Sequence, residues 1–312
     1  MPTVSVLMAV RNGARHLPAA VESILTQSFT DFEFLIIDDG SDDGVTLPLL
    51  RKYAEDDRRI RLISRPNRGL TTSLNEGLAL ATAEFIARMD GDDISLPQRL
   101  QLQVDFLRNH PEVVLLGGAY ELIDGDGRPI RTWYPPADDE SLQRHCLQGQ
   151  TPICHPLAMM RASAVRRVGG YDESFPVAQD LDLWLRLGEV GRLACLPEVL
   201  LRYRQHEASV SERKQRLQIE CMRRACEAAY RRRGVEGQYR CRAEEGWRPV
   251  GDRASRRRFL LQYGWWAFNA GHRQTARHYG WRAIAAAPWR LDGWKLLGCA
   301  LLKRPLPRPP GQ

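Results

Sequence analysis

The feature that most constrains the fold of this chain is a regular alternation of apolar runs and amphipathic segments along residues 1–119. Residues 4–10 and 32–37 are compact apolar runs, which are typical of strands buried on both faces. Between them, Pro18 and apolar residues at helical spacing predict a helix. The alternation continues to an apolar run at residues 113–119. This pattern predicts an α/β fold, with a mainly parallel, Rossmann-like sheet and helices on both faces.

Two of the predicted strands end in clusters of acidic residues. The segment DDGSD at residues 38–42 follows the second strand, and DGDD at residues 90–93 follows a strand predicted at Phe85–Met89. In open α/β sheets, ligands bind beyond the carboxyl ends of the strands. We therefore expect the two acidic loops to meet above one crevice.

Asp90 and Asp92 form a candidate metal site, with Asp93 orienting their loop. Mg²⁺ and Mn²⁺ prefer hard oxygen ligands and take the remainder from phosphate and water. Such a cation stabilises the charge that builds on a diphosphate when a sugar–phosphate bond breaks. An Asp-x-Asp pattern alone is typical of turns and caps. The prediction depends on its position after a strand and on the second acidic loop.

The loop at residues 38–42 is a candidate nucleotide site. Asp39 is favoured as the acceptor of hydrogen bonds from a uracil N3–H or a ribose hydroxyl. The alternative is that Ser41 or Asp42 only caps the next helix, and both can hold together.

A third candidate lies in the segment QDLDLW at residues 179–184, which opens an amphipathic helix. A general base must be deprotonated at neutral pH and face the acceptor hydroxyl. The helix dipole favours the carboxylate form of Asp180 at this position. On spacing alone, a simple N-terminal cap at Asp180 or Asp182 remains the alternative.

Taken in order, these motifs resemble family 2 of the inverting nucleotide-sugar glycosyltransferases, which have the GT-A fold. The resemblance covers roughly residues 3–205, and several motifs in register are far more specific than any one of them. The matching stretches are residues 4–12, 22–29, 36–42, 67–70, 74–75, 87–93, 155–161, 169–173 and 179–184.

The resemblance implies a role for individual positions. It assigns the base-binding carboxylate to Asp39, the metal-binding carboxylate to Asp92 and the catalytic base to Asp180. Asp90 is expected to reach the nucleotide ribose or the metal. Further nucleotide contacts and site lining are expected from Arg11, Asn67, His155, Asp93 and Trp184.

Three positions depart from the family pattern. Ala9 and Arg11 stand where the family usually has Pro and Tyr, and Gln179 replaces a frequent Glu. Because Arg11 lies beside the expected nucleotide pocket, contacts to the base or phosphates there are expected to differ from the family's.

The resemblance implies transfer of a sugar from a nucleoside-diphosphate donor, with UDP favoured and Mn²⁺ or Mg²⁺ required. The acceptor would be a glycan or a lipid-linked glycan of a bacterial surface polysaccharide, lipopolysaccharide or glycoprotein. A sugar-nucleotide nucleotidyltransferase is one alternative, but only Arg-Asn-Gly at residues 11–13 stands where it would need a Gly-rich basic phosphate loop. A non-catalytic nucleotide- or nucleic-acid-binding protein is another. The spacing of Trp265, Trp266 and Trp281 suits a helical core better, so no nucleic-acid partner is expected.

Charge divides the chain into an acidic body and a basic tail. Residues 1–201 carry 20 Lys/Arg and 29 Asp/Glu, whereas residues 202–312 carry 25 and 9. We expect a GT-A domain at 1–208, with a nucleotide half at about 1–119 and an acceptor half at about 120–208. A basic α-helical extension at 209–304 and a disordered tail at 305–312 would follow.

The basic extension predicts either a solvated Arg-rich face or peripheral contact with anionic lipid, which its Trp residues would also suit. Charge interrupts the longest apolar stretch, residues 284–302, and the N-terminus lacks the pattern of a signal peptide. The seven Cys residues show no metal-like pairing. We therefore expect a cytoplasmic protein, bound to the inner face of the plasma membrane if the extension contacts lipid.

Overall fold

The structure is a computed structural model that describes residues 1–205, 215–237, 239 and 253–303. The described residues form two compact units. The first contains residues 1–119, 135–202, 216–237 and 239. The second contains residues 120–134, 203–205, 215 and 253–303. This division differs from the boundary predicted at residue 208, and the predicted disordered tail at 305–312 lies outside the described residues.

Four parallel strands form the part of the sheet that positions the candidate site. They are β1 (Val4–Val10), β2 (Phe32–Asp39), β3 (Ile60–Arg65) and β4 (Phe85–Met89), in the order β3-β2-β1-β4. Every residue of β1 and β4 is buried, as their mainly apolar sequences predict, although β1 includes Ser5 and β4 includes Arg88. β2 runs two residues further than predicted, so that Asp38 and Asp39 are its last residues.

Helices connect these strands as the alternation predicts. They are α1 (Leu17–Leu25), α2 (Thr46–Asp56), α3 (Leu70–Leu80) and α4 (Arg99–Asn109). Pro18 occupies the first turn of α1, where its missing N–H costs no hydrogen bond. α3 packs on β1 and β2, and Gly77 allows that approach, because a Cβ there would lie 2.0 Å from Leu7 Cδ1.

Strands from the second half of the chain make the sheet mixed. They are β5 (Ile94–Ser95), β6 (Val113–Asp124), β7 (Pro129–Trp133), β8 (Met159–Arg161) and β9 (Arg192–Gln205). β8 lies between β4 and β6 and is antiparallel to both. The sequence pattern at 120–132 predicts a hairpin, and β7 does pair with β6, while β5 pairs with β9. The short apolar runs at 193–196 and 200–203 predict two separate strands, but one strand, β9, contains both.

The remaining helices of the first unit are α5 (Asp139–Leu147), α6 (Ala162–Arg167), α7 (Gln179–Leu187) and α8 (Gln215–Arg233), together with a short 3-10 turn at His155–Leu157. α7 is apolar on the side that faces the main core. Its buried residues are Gln179, Leu181, Asp182, Leu183, Trp184, Leu185 and Leu187. This packing fixes the first turn of α7, where Asp180 stands.

The second unit contains α9 (Arg253–Asn269), α10 (Arg273–Ala286) and α11 (Leu291–Leu302). The sequence pattern predicts helices at about 255–270, 274–286 and 291–302, and the three observed helices begin and end within two residues of these limits. Gly293 lets α10 and α11 approach closely, because a Cβ there would lie 2.9 Å from the backbone N of Ile284. The expectation that Trp281 packs in the core is wrong, because its side chain is 57% exposed. Among the described helices, none has the length and apolarity that crossing a bilayer requires.

Candidate active site

The two acidic loops lie at the same edge of the parallel sheet. β1 separates their strands and pairs with both, with Val10 beside Asp38 and Met8 beside Met89. Neighbouring strands lie about 5 Å apart, so the carboxyl ends of β2 and β4 are about 10 Å apart across the end of β1. This distance suits a ligand that extends from one loop to the other.

Asp39 is buried and surrounded by donors from the loop between β3 and α3. Its carboxylate accepts hydrogen bonds from Asn67 Nδ2 at 2.9 Å, from the backbone N of Arg68 at 2.8 Å and from the backbone N of Gly69 at 3.0 Å. The Arg65 guanidinium also donates to it. Since a carboxylate offers about four lone-pair positions, these donors occupy it. The structure thus brings Asp39 and Asn67 together, each bonded to the other.

Arg11 and Asn12 join the end of β1 to the loop after β2. Asn12 has a φ of 53°, a left-handed conformation that Asn tolerates better than most residues. Its side chain donates to Asp42 Oδ1 at 2.7 Å and accepts from the backbone N of Asp42 at 2.9 Å. The Arg11 side chain is 46% exposed and lies 3.5 Å from Asp42. Arg11 therefore stands at the rim of this edge with its cation accessible to a ligand.

The alternative prediction that Ser41 or Asp42 caps the next helix is wrong, because a different residue of the loop does so. Asp43, rather than Ser41 or Asp42, binds the start of α2, because it accepts from the backbone N of Val45 at 3.0 Å and of Thr46 at 2.8 Å. Ser41 instead accepts from the backbone N of Asn12 at 3.0 Å. Helix capping and loop bridging are thus performed by different residues.

The loop after β4 holds a compact group of carboxylates. Asp90, Asp92 and Asp93 each offer an oxygen within 4.8 Å of the others, and they form the one such group in the described residues. An ion with bonds of about 2.1 Å holds its ligands at most about 4.2 Å apart, so a small closure would complete the set. Hard carboxylate oxygens are the ligands that Mg²⁺ and Mn²⁺ prefer. The donor set therefore fits either ion.

Arg88, inside β4, was missed by sequence reasoning because it stands in an otherwise apolar strand. Its side chain is 1% exposed, and its guanidinium lies 2.6 Å from Asp90 Oδ1. The backbone carbonyl of Arg88 accepts from Arg99 Nη2 at 2.7 Å, and Arg99 is also fully buried. Burial raises the pKa of Asp90 and Arg88 opposes that rise, so Arg88 stabilises the charged form of Asp90.

We expect Arg88→Met to lower the free energy of unfolding by about 2–3 kcal/mol, since it leaves the Asp90 carboxylate without its buried counter-ion. Urea unfolding followed by circular dichroism measures this loss. The exposed Arg58, changed to Met, is the matched control and should alter stability by no more than about 0.5 kcal/mol. Equal stability of the two variants would show that the Arg88–Asp90 pair contributes nothing to the fold.

Asp180 stands in the first turn of α7. The preceding Ala178 has a φ of 57°, a left-handed conformation that costs a non-Gly residue about 1 kcal/mol. Burial raises the pKa of Asp180, whereas backbone N–H groups of the first turn and the Arg88 cation lower it. The charge of Asp90 raises the pKa of Asp180 further. Asp180 and the acidic loop therefore share one electrostatic environment.

Asp182 has a different surrounding from Asp180. It is buried, and its carboxylate lies 2.5 Å from Arg186 Nη2, one helical turn along α7. Arg186 in turn donates to the backbone carbonyls of Val168 and Gly170, both at 2.8 Å. The Asp182–Arg186 pair thus anchors α7 to the turn at Val168 and Gly170, which is a structural role.

His155 and Tyr171 form a hydrogen-bonded pair of side chains. His155 Nε2 and the Tyr171 hydroxyl are 2.8 Å apart. Burial and the Arg88 cation lower the pKa of His155 well below its usual value, so the ring is neutral at physiological pH. Burial also raises the pKa of Tyr171, which Asp180 and Asp90 raise further. Sequence reasoning gave Tyr171 no role, although it lies within one of the matching stretches.

Trp184 is fully buried, so it contacts the site indirectly. Its indole N–H donates to the carbonyl of Ile153 at 3.3 Å, and its ring centroid lies 5.8 Å from that of His155. Asp93 is also buried, at 1% exposure. Trp184 therefore packs against the His155 ring, and Asp93 lies buried within the acidic loop.

Comparisons with known proteins identify the family of the chain. Residues 5–169 match the family model described as Glycosyl transferase family 2. The chain is 38% identical to the protein EpsE of Bacillus subtilis over 217 residues, which is 68% of this chain and 76% of that protein. It is 31% identical to the O-antigen biosynthesis glycosyltransferase WbnJ of Escherichia coli over 212 residues, which is 67% and 82% of the two chains.

Solved structures share the fold. The mannosyltransferase PcManGT from Pyrobaculum calidifontis, in complex with GDP-Man and Mn²⁺, superposes with a TM-score of 0.58 at 19% identity, over 96% of this chain and 80% of that one. Residues 1–349 of TarS from S. aureus, in complex with UDP-GlcNAc, give a TM-score of 0.57 at 15% identity, over 95% and 91%. At these identities the similarity concerns the fold alone.

Proposed function

Because the chain belongs to glycosyl transferase family 2 and has the GT-A fold, we propose that it moves a sugar from a nucleoside-diphosphate donor to an acceptor hydroxyl, with inversion at the sugar carbon. One observation carries the proposal. The carboxylates of Asp90, Asp92 and Asp93 are grouped in the loop after β4, at the same edge of the sheet as Asp39 at the end of β2. Family membership favours transfer over both the nucleotidyltransferase and the nucleic-acid-binding alternatives.

Mn²⁺ or Mg²⁺ would be held by Asp92, with Asp90 and Asp93 beside it. Such an ion supplies Lewis-acid stabilisation of the charge on the departing diphosphate. Asp92 is the main ligand in this proposal, because Asp90 already pairs with Arg88 and Asp93 is buried. Asp90 remains able to contact the ribose or the ion with its second oxygen.

The nucleoside would lie at the ends of β1 and β2, with UDP as the favoured nucleotide. Asp39 is the base-binding carboxylate in this proposal, and Asn67 forms the adjoining wall. Since four donors already occupy Asp39, a base N–H has to share or displace one of them. Arg11, accessible at the rim, supplies a cation for the phosphates.

Asp180 would act as the catalytic base. Its carboxylate accepts the proton of the acceptor hydroxyl while that oxygen attacks the sugar carbon from the side opposite the diphosphate. A raised pKa brings a carboxylate closer to the operating pH and makes it a stronger base. Neutral His155 is hydrogen-bonded to the Tyr171 hydroxyl, and the Asp180 charge helps to raise the pKa of Tyr171.

The acceptor is proposed to be a glycan or a lipid-linked glycan of a bacterial surface polysaccharide. The names of the relatives support this class, since WbnJ is described as an O-antigen biosynthesis enzyme. The proposal places the protein in the cytoplasm, where it would meet a lipid-linked acceptor at the inner face of the plasma membrane.

A donor screen tests the reaction. We expect the protein with Mn²⁺ to release nucleoside diphosphate from one member of a panel of sugar nucleotides, a UDP-sugar in the favoured case. EDTA should abolish the release, because the diphosphate charge is then not neutralised. Release of pyrophosphate from a nucleoside triphosphate and a sugar phosphate would instead support a nucleotidyltransferase and contradict the proposal.

A further inference from the structure

Helix α11 is apolar on two opposite sides. One side is buried against the second unit's core and consists of Gly293, Leu296, Leu297 and Ala300. The other side faces solvent, with exposed fractions of 79% for Leu291, 46% for Trp294, 48% for Leu301 and 87% for Leu302. At 3.6 residues per turn, the solvent-facing residues occupy about a third of the helix circumference. A helix in water is expected to be polar on that side.

Two further Trp side chains extend this apolar surface. Trp289, in the turn before α11, is 81% exposed, and Trp281 of α10 is 57% exposed. The rings of Trp281 and Trp294 meet edge to face, with their centroids 6.4 Å apart. We name the set the aromatic face: Trp281, Trp289, Leu291, Trp294, Leu301 and Leu302. It contains half of the large exposed hydrophobic side chains of the described residues.

Cations surround the aromatic face. Arg282, Arg290, Lys295 and Lys303 are all exposed. The one acidic residue between positions 270 and 303 is Asp292, and its carboxylate is paired with Arg257 at 2.5 Å and Arg290 at 3.8 Å. The face therefore carries a net positive rim, which complements an anionic partner.

The chemistry of the face distinguishes a lipid surface from other anionic partners. Leu side chains at the centre of the face gain nothing from a nucleic acid, whose binding requires cations and stacking rings there. A second copy would bring two positive rims together, which opposes pairing. A bilayer accepts Leu in its acyl region, Trp at the headgroup level and Arg or Lys beside anionic headgroups.

We propose that the aromatic face docks this protein on an anionic lipid bilayer. α11 lies in the plane of the membrane, with Leu291 and Leu302 in the acyl boundary and the Trp rings at the headgroups. With 12 residues it measures about 18 Å, too short for a hydrocarbon core of about 30 Å, so it rests on the surface. The docking does not depend on the proposed transfer reaction. If that reaction uses a lipid-linked acceptor, docking brings the enzyme to the surface where the acceptor is anchored.

Vesicle sedimentation of the full chain tests the proposal. We expect binding at low salt to vesicles of phosphatidylglycerol and phosphatidylcholine in equal parts. Trp289→Ser combined with Leu291→Ser should weaken that binding by about tenfold or more, because the membrane loses one Trp ring at the headgroups and one Leu side chain in the acyl boundary. Both residues are highly exposed, so the variant should keep its thermal midpoint. Tyr134→Ser with Val45→Ser removes an exposed aromatic and an exposed aliphatic elsewhere and should bind like wild type.

A second pair of variants tests the charged rim. Arg290→Glu with Lys295→Glu should weaken binding to the same vesicles by about 30-fold or more, since each of the two lost cations contributes about 1 kcal/mol near such a surface and about 1.4 kcal/mol is a factor of ten. Arg51→Glu with Arg58→Glu is the charge-matched control on the first unit and should bind like wild type. Pure phosphatidylcholine vesicles should bind wild type far more weakly.

Several results would overturn the proposal. Wild type could fail to sediment with the anionic vesicles at low salt, or the Trp289/Leu291 variant could bind as well as wild type. Light scattering could instead show a dimer that the same variant dissociates, in which case a second copy covers the face. Asp180→Asn should bind vesicles like wild type, so a failure of the transfer proposal is distinguishable from a failure of this one.

Discussion

Asp180→Asn is expected to lower kcat by about 10³-fold or more, which is the range of a lost general base. The amide has nearly the same shape as the carboxylate but cannot take the proton of the acceptor hydroxyl. Donor binding should stay within about twofold of wild type, because Asp180 is assigned no contact with the donor before the attack. Steady-state transfer rates and calorimetric titration with the nucleoside diphosphate measure the two effects.

Asp182→Asn is the matched control, since it stands two residues away on the same helix. It loses the ion pair with Arg186 and should reduce stability while leaving kcat of the folded protein near wild type. A kcat for Asp180→Asn within a few-fold of wild type would remove Asp180 from the reaction. An equal loss in both variants would show that α7, rather than the Asp180 proton, is what transfer requires.

The pH dependence of kcat provides a further readout for Asp180. Burial raises its pKa, so the carboxylate becomes protonated at a higher pH than an exposed Asp does. The rate should therefore fall as the pH falls through this raised pKa, and the fall should begin above the range in which exposed carboxyls titrate. In Asp180→Asn the residual rate should lose this acid limb.

Asp92→Asn is expected to weaken nucleoside diphosphate binding in the presence of Mn²⁺ by at least about 100-fold, because the ion loses its main carboxylate. In EDTA the variant and wild type should bind the nucleotide equally, since the pocket at Asp39 is unchanged. Isothermal titration with and without Mn²⁺ measures both affinities. Equal nucleotide affinities of the variant and wild type in EDTA identify Asp92 as a metal ligand. A residue that contacts the nucleotide directly would lower the affinity in EDTA as well.

Asp42→Asn is the control for charge, because it removes an exposed carboxylate from the neighbouring loop. It should keep the Mn²⁺-dependent gain in affinity. If Asp92→Asn keeps that gain and Asp90→Asn loses it, the main ligand is Asp90, and the proposed division of roles with Arg88 is wrong.

Local sequence determines the parallel half of the fold well. β1 and β4 lie at their predicted limits because a mainly apolar run of five to seven residues, followed by the polar Arg11-Asn12 or by Asp90, leaves little choice of strand boundary. The same reasoning predicted that the two acidic loops would share one edge, since parallel strands place their carboxyl ends together. These expectations depend on neighbours in the sequence and on one general rule of sheet geometry.

Long-range partners could not be read from the sequence. The insertion of β8 between β4 and β6 pairs Met160 with Ile86 and Leu115, and no local pattern specifies such partners. The hairpin of β6 and β7 belongs to the unit of the C-terminal helices, where Tyr279 donates to Asp124 at 3.1 Å across 155 residues. A domain boundary drawn from composition misses a bond of this kind.

Side-chain roles at the site were only partly predictable. Helical spacing showed that Trp281 belongs to a face of α10, but it could not show whether another element covers that face. In the sequence Arg88 is only a charged residue within an apolar strand, and the structure shows that its guanidinium pairs with Asp90. Donors from the loop after β3 occupy the Asp39 carboxylate, and the sequence does not show this because those donors lie close to Asp39 only once β2 and β3 pair.

The central claim is that a cation at the loop after β4 and a proton acceptor on α7 serve one reaction in one cleft. A crystal structure with nucleoside diphosphate and Mn²⁺, in which anomalous scattering locates the ion, tests it most directly. We expect Mn²⁺ to be bound to Asp92 and the diphosphate, with the Asp180 carboxylate facing the position of the sugar carbon. An ion bound away from the loop at Asp90–Asp93, or a nucleotide in a cavity that Asp180 does not face, would contradict it.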